Sequence, residues 1–180
     1  MANSKISALT AKTSFVDTDE FVLVDNASTP TTKKITGANL KASIPLITAP
    51  AAWTPTFTGF GTVSNVTAYS WRVGSELFYE IYFTSGTPTG VEARISLGFN
   101  GTDGNVTTAS TYSTLNMVGF GGGSNSAVGI YCLAEASKTY ITFGRLQSTS
   151  AFPLAKNLGT DFVVASGNYS VKGSVRIQGW

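Results

Sequence analysis

The strongest pattern in the chain is the alternation at 76–83, Glu76-Leu77-Phe78-Tyr79-Glu80-Ile81-Tyr82-Phe83. Side chains of a β-strand point to opposite faces with a period of two. Leu77, Tyr79, Ile81 and Phe83 therefore share one face, which the pattern assigns to the core. Glu76, Phe78, Glu80 and Tyr82 share the other. A face that mixes carboxylates with large rings is unusual against water alone, and it predicts a contact between subunits. Three more strands are expected. Tyr69, Trp71 and Val73 alternate with Ser70 and Arg72. Ile141 and Phe143 alternate with Tyr140 and Thr142. Near the end, Val171, Val175 and Ile177 alternate with Lys172, Ser174 and Arg176, the pattern of a half-buried antiparallel strand. Weaker strand patterns lie at 91–97, 115–118, 128–135 and 162–165. Turn-forming residues separate them at 84–88, at 100–105 and from Gly119 to Ser126.

About eight strands at such spacing predict an all-β chain whose main domain, residues 51–180, is an antiparallel β-sandwich of jelly-roll-like type. Residues 1–50 form a separate N-terminal extended or β segment. Its apolar positions (Ile6, Leu9, Phe15, Phe21, Ile35, Leu40 and Ile44 among them) are too few to build a core alone. They must pack on the rest of the chain or on further copies. The pattern at 36–43 allows a turn or two of helix before Pro45. Residues 45–56, with Pro45, Pro50 and Pro55, predict a stiff linker.

Composition narrows the function. Charged residues are 12% of the chain, about half the usual share. Few charges beside many aromatics point to surface covered by partners. The net charge is +2 and the charges are scattered, with only Lys33-Lys34 adjacent, so no stripe marks a phosphate-binding face and no nucleic-acid partner is expected. Cys132 is the single cysteine, in the apolar run 128–133, and is expected as a buried thiol. No apolar stretch is long enough to cross a membrane as a helix, and residues 1–5 do not open a secretory leader.

The chain has no histidine. That removes Ser-His-Asp and Cys-His catalysis and nearly every imidazole metal site. No catalytic, cofactor or metal residue is assigned. Glu76 and Glu80 share a strand face, but their Cα atoms would stand about 13 Å apart, beyond the roughly 5–9.5 Å carboxyl spacing that glycosidases use. They are expected as surface charge. Asp103 in Asn100-Gly101-Thr102-Asp103-Gly104 lacks the other acids of a calcium loop and is expected in a turn. Gly119-Phe120-Gly121-Gly122-Gly123-Ser124 lacks the Lys and the following helix of a phosphate loop, and is expected as a mobile or closely packed loop. Trp53, Trp71, Trp180, Tyr112, Tyr131 and Tyr140 are candidates to stack on sugars.

Three stretches carry a resemblance. Lys5-Ile6-Ser7-Ala8-Leu9-Thr10, then Asp19 to Asp25, then Thr32-Lys33-Lys34-Ile35-Thr36 and Asn39-Leu40-Lys41 resemble the short N-terminal module of bacteriophage tail-fibre and particle-fibre proteins. The stretch from Trp53-Thr54-Pro55 to Phe60-Gly61, leading to Trp71-Arg72-Val73-Gly74, and the ending from Tyr169-Ser170-Val171 to Arg176-Ile177-Gln178-Gly179-Trp180, look like the C-terminal β-domains of such fibres. Residues 98–165 match nothing in that family. The resemblance implies a homotrimeric virion protein, a short head or tail fibre made in the host cytoplasm, without cofactor or catalysis. Residues 1–50 would attach it to capsid or tail proteins or join its subunits. Residues 51–180 would be exposed, with host surface glycans as a further partner. A capsid cement or decoration protein and a free carbohydrate-binding β-sandwich module are the alternatives, with a glycan-cleaving spike domain behind them.

Overall fold

The computed structural model describes residues 16, 18–25, 31–43, 47–112, 115–123, 129–144 and 155–180. The chain divides into two compact units, 1–46 and 47–180. In the first, strands β1 (Glu20–Asp25) and β2 (Thr31–Thr36) form an antiparallel hairpin in which Phe21 faces Ile35. Helix α1 (Gly37–Ser43) follows directly, where the sequence allowed a turn or two. Thr36 begins it as a cap, since its Oγ1 accepts the Asn39 N–H at 3.3 Å. Lys34 and Glu20 pair across the hairpin at 2.6 Å and are exposed, so the Lys33-Lys34 step lies on a solvated strand.

The second unit is all-β. Its main sheet is built from β3 (Ala51–Ala52), β4 (Phe57–Thr58), β5 (Ser64–Val73), β6 (Glu76–Thr84) and β7 (Arg94–Ser96). The hairpin β8 (Gly98–Phe99) and β9 (Thr102–Asp103) stands apart from that sheet. The main sheet then gains β10 (Asn116–Gly123), β11 (Ile130–Ala134), β12 (Tyr140–Gly144), and, after the short helix α2 (Gly159–Phe162), β13 (Asn168–Arg176). The order is β3-β5-β6-β13-β10-β11-β12-β7-β4, antiparallel throughout. The last strand therefore lies inside the sheet, paired on one side with β6 and on the other with β10.

Chain length dictates that this sheet curls. Laid flat, its nine strands would place the two edges about 38 Å apart. Yet β3 and β4 are those edges, and five residue steps from Ala52 to Phe57 reach at most about 17 Å. The sheet must fold over, and its concave face encloses the core. The result is sandwich-like, but it is one continuous ladder, where a jelly roll would be two four-stranded sheets.

The core follows the β6 alternation. Leu77, Tyr79, Ile81 and Phe83 are buried, as are Val171, Val175 and Ile177 of the last strand and its extension. Phe60 is fully buried at the hub of an aromatic cluster. Phe83, Phe143 and Phe162 meet its ring edge-on at centroid distances of 5.1, 5.4 and 5.9 Å. Gly59 and Gly61 flank it with φ of +87° and +70°, and a Cβ on Gly61 would lie 2.2 Å from the Thr87 carbonyl oxygen. Only glycine at both positions lets the chain turn tightly enough to press Phe60 inward.

Three expectations are corrected, and on β5 the structure adds the direction that the alternation left open. Residues 47–56 are not a free linker: Ile47 bridges to Val73, β3 pairs with β5, and Trp53 and Pro55 are buried. On β5 the apolar set Tyr69, Trp71 and Val73 points outward, and the small Ala68 and Ser70 point in. The inner side there is already filled: the Trp53 indole packs so closely on Gly98 that a Cβ would sit 2.3 Å from it, and Ser70 Oγ donates to the Gly98 carbonyl at 2.7 Å. Residues 119–123 are strand, not loop. Finally, 162–165 is not a strand. Asp161 accepts the Leu158 N–H at 2.7 Å, closing one helical turn that drops Phe162 into the aromatic cluster.

Candidate functional site

The glycine run of β10 explains the most distinctive local packing. Cross-strand partners form an inward row, Ser70–Tyr79–Gly173–Gly119–Cys132–Phe143. Tyr79 lies over the two glycines. A Cβ on Gly119 would come within 2.7 Å of the Tyr79 hydroxyl and 2.4 Å of the Lys172 carbonyl oxygen. That hydroxyl donates to the Val118 carbonyl at 3.1 Å, where β10 bulges. A large ring on one strand thus fills the space that two glycines leave on its neighbours. Burial pushes the Tyr79 hydroxyl well above its ordinary value and pushes the Cys132 thiol up to about 12. Cys132 is fully buried, as expected, and is unsuited to act as a nucleophile.

On the opposite, outer face the same strands carry rings and charges in register. One row runs Tyr69–Glu80–Lys172–Phe120–Tyr131 across five strands. A second pairs Trp71 with Phe78, whose rings stack at 5.6 Å and 15°, and continues to Ser174. Phe120 is 61% exposed and Met117 51%, and Tyr69, Val73 and Tyr82 are exposed too. Lys172 pairs with Glu80 at 2.5 Å, and the Tyr82 hydroxyl donates to the same carboxylate. The Lys172 ammonium and then the Tyr82 hydroxyl hold the Glu80 carboxyl below its usual range, and Glu80 raises Lys172 in turn.

Between these rings lies a trough of about 670 Å³. Its floor is Gly173 and Ser174 of β13, the middle strand. Trp71 and Phe78 rise on one side, Met117 and Phe120 on the other. Small residues on one strand flanked by large ones on its two neighbours are enough to make such a channel. Glu76, Asn116 and Tyr112 close one end.

The structure sorts the six aromatic candidates. Trp71 and Tyr112 line the trough, and Tyr131 sits half-buried edge-on to Phe120 beside it. Trp53 is core. Tyr140 lies on β12 under the Arg94 guanidinium, 4.4 Å from its centroid. Trp180 packs on Phe99 and under Arg72, whose guanidinium stands 4.5 Å above the ring while its Nε donates to the Gly74 carbonyl at 2.6 Å. Trp71-Arg72-Val73-Gly74 and the ending Gly179-Trp180 are therefore brought together in space. Phe78, Met117 and Phe120 are trough residues that the sequence did not single out as ligand contacts. The available signal was Gly173-Ser174 breaking the apolar alternation of the last strand, and one Phe set among glycines.

Glu76 lines the trough, whereas Glu80 is occupied by Lys172. Asp103 is a structural acceptor, taking Ser96 Oγ at 2.5 Å and Thr56 Oγ1 at 2.8 Å, in a hairpin that turns at Asn100-Gly101. Elsewhere Lys156 bridges Glu92 and Glu135 at 3.4 and 2.7 Å, tying residues 155–158 to the sheet. Burial alone would raise the Glu92 carboxyl, but Arg94 and Lys156 outweigh it and hold it lowered. Among the described residues no three His, Cys, Asp or Glu side chains are grouped to hold a metal ion, and no helix is long and apolar enough to cross a membrane. In comparisons with protein-family models, with curated proteins and with solved structures, the chain finds no match.

Proposed function

We propose that this chain is a non-catalytic structural protein of a bacteriophage particle, a homotrimeric short fibre that projects from head or tail and touches the host surface. In this reading the hairpin-and-helix unit within residues 1–50 attaches the fibre to capsid or tail proteins or joins its subunits, and the β-body is the exposed part. The observation that carries the reading is the division of labour in the sheet. Its concave face makes a complete core, so the rings of its convex face are not needed to hold the fold and are free for adhesion. The resemblance of residues 5–41, 53–74 and 169–180 to fibre proteins supplies the particle. A capsid decoration protein is the same reading with a different attachment, and would raise the thermal stability of purified capsids.

The test is the absolute mass of the full chain in solution by light scattering after size separation. Three subunits of 18.8 kDa support the fibre. A folded monomer would sink the self-assembling trimer. The second reading, a free carbohydrate-binding module, would then take its place, favoured by the ring-walled trough.

A further inference from the structure

We infer that the trough on the convex face binds a neutral, hydroxyl-rich oligosaccharide, with pyranose faces against Phe78 and Phe120 and hydroxyls held by Glu76 and Ser174. This deepens the adhesive reading above and rests on it for its biological setting only.

Shape excludes several occupants. The walls stand on β6 and β10, two strand spacings apart, or about 10 Å between backbones before side chains narrow it. A helix about 10–12 Å across does not fit. A peptide cannot add as a strand, because β6, β13 and β10 each have ladder partners on both sides.

Charge and hydrogen bonding narrow the chemistry further. The one cation at the trough, Lys172, is already neutralised by Glu80. Among the described residues the Glu76 side chain has no hydrogen bond or ion pair, so a carboxylate with acceptor sites on both oxygens faces the channel. With Arg176 as the cross-strand partner of Glu76 on the same face, and Glu80 against Lys172, the trough offers no net positive charge to a phosphate or carboxylate ligand, and the Glu76 oxygens demand donors, which a lipid chain lacks. Ser174 adds a hydroxyl on the floor, likewise without a partner among the described residues. Ring walls require a ligand with apolar faces, and Glu76 and Ser174 require one with O–H groups along its edges. A chain of pyranoses has both.

The experiment uses the full chain with cellohexaose, maltohexaose and hexa-N-acetylchitohexaose as neutral probes and a hexamer of galacturonate as the anionic one, read by calorimetry. Binding of a neutral hexamer is expected. It should weaken about tenfold in Phe120→Ala through lost ring contact and area and about tenfold in Glu76→Gln through a lost charge-assisted hydrogen bond. It should be unchanged in Tyr140→Ala, which lies outside the trough. Phe120 is mostly exposed, so its removal leaves the fold intact, as the melting temperature of the variant would verify. Failure of every neutral hexamer to bind overturns the site, as does tighter binding of the galacturonate hexamer. Binding indifferent to Phe120→Ala also overturns it. So does dissociation of an oligomer by that substitution, which would make a second copy the occupant. The two proposals fail separately: a trimer that binds nothing loses the site and keeps the fibre, and a monomer that binds keeps the site and loses the fibre.

Discussion

The two faces of β6 carry the same number of aromatic rings, and those rings have opposite fates. Each holds two aromatic residues, Tyr79 and Phe83 on the concave side, Phe78 and Tyr82 on the convex side. The concave pair is at most 2% exposed, whereas Tyr82 is 39% exposed and Phe78 half-buried. Leu77 and Ile81 against Glu76 and Glu80 mark which face is which, but the rings themselves do not differ in kind. Concave side chains are met from across the curled sheet by Phe60, Phe143 and the rest of the core. Convex ones are met only sideways by neighbours on the adjoining strands. A ring that stabilises the fold in one setting becomes a contact surface in the other, because the difference lies in what the sheet's curvature brings opposite it.

Substitutions on the two faces sharpen the comparison. The largest effect is expected from Ile81→Ala, which leaves a cavity against a fully buried position and should cost about 2–5 kcal/mol in urea unfolding. Phe120→Ala on the convex face removes a larger side chain and should cost about 0.5 kcal/mol or less. Equal losses would break the division between faces. Next comes Gly173→Ala, where the new Cβ would lie 2.1 Å from the Val118 carbonyl oxygen and 2.5 Å from the Tyr79 hydroxyl. Its cost should be about 1–3 kcal/mol by overpacking, and Tyr79→Phe should not relieve it, because the closer clash is with backbone. The smallest effect belongs to Glu80. Its folded carboxyl is held low by Lys172 and Tyr82, so what it contributes is present above the ordinary glutamate range and lost as pH falls through the lowered value. Wild type and Glu80→Gln should therefore converge in melting temperature at acid pH and differ only slightly at neutral pH, less so in high salt. A gap that widens on acidification would contradict this.

How far the sequence reveals these features depends on whether the deciding contact is local. The β6 faces and the buried Val171, Val175 and Ile177 were legible because residue type alternates cleanly within one strand. On β5 the period was equally clear but the direction was not. Alternation says which residues share a face, and Trp53 and Gly98, distant in sequence, decide which face is inward. The glycines at 119–123 carried the composition of a turn. Their strand conformation goes with side chains distant in sequence, Tyr79 packing where Gly119 lacks a Cβ and Tyr169 where Gly123 lacks one. Prolines made 45–56 look like a spacer, although Pro55 and Trp53 are buried where the sheet's two edges approach. The trough was hardest to see, because its walls and floor come from β5, β6, β10 and β13, and no single segment contains it.

The position of β13 also bears on how the protein is made. Until residues 168–176 leave the ribosome, β5 and β6 have no ladder connecting them to β10, β11 and β12, and the inner rows of both groups face solvent or a chaperone. A message cut short after β12 and before that strand would leave two half-sheets with unpaired edges. Closure of the sheet therefore waits on residues 168–176, one of the last stretches of the chain to be made.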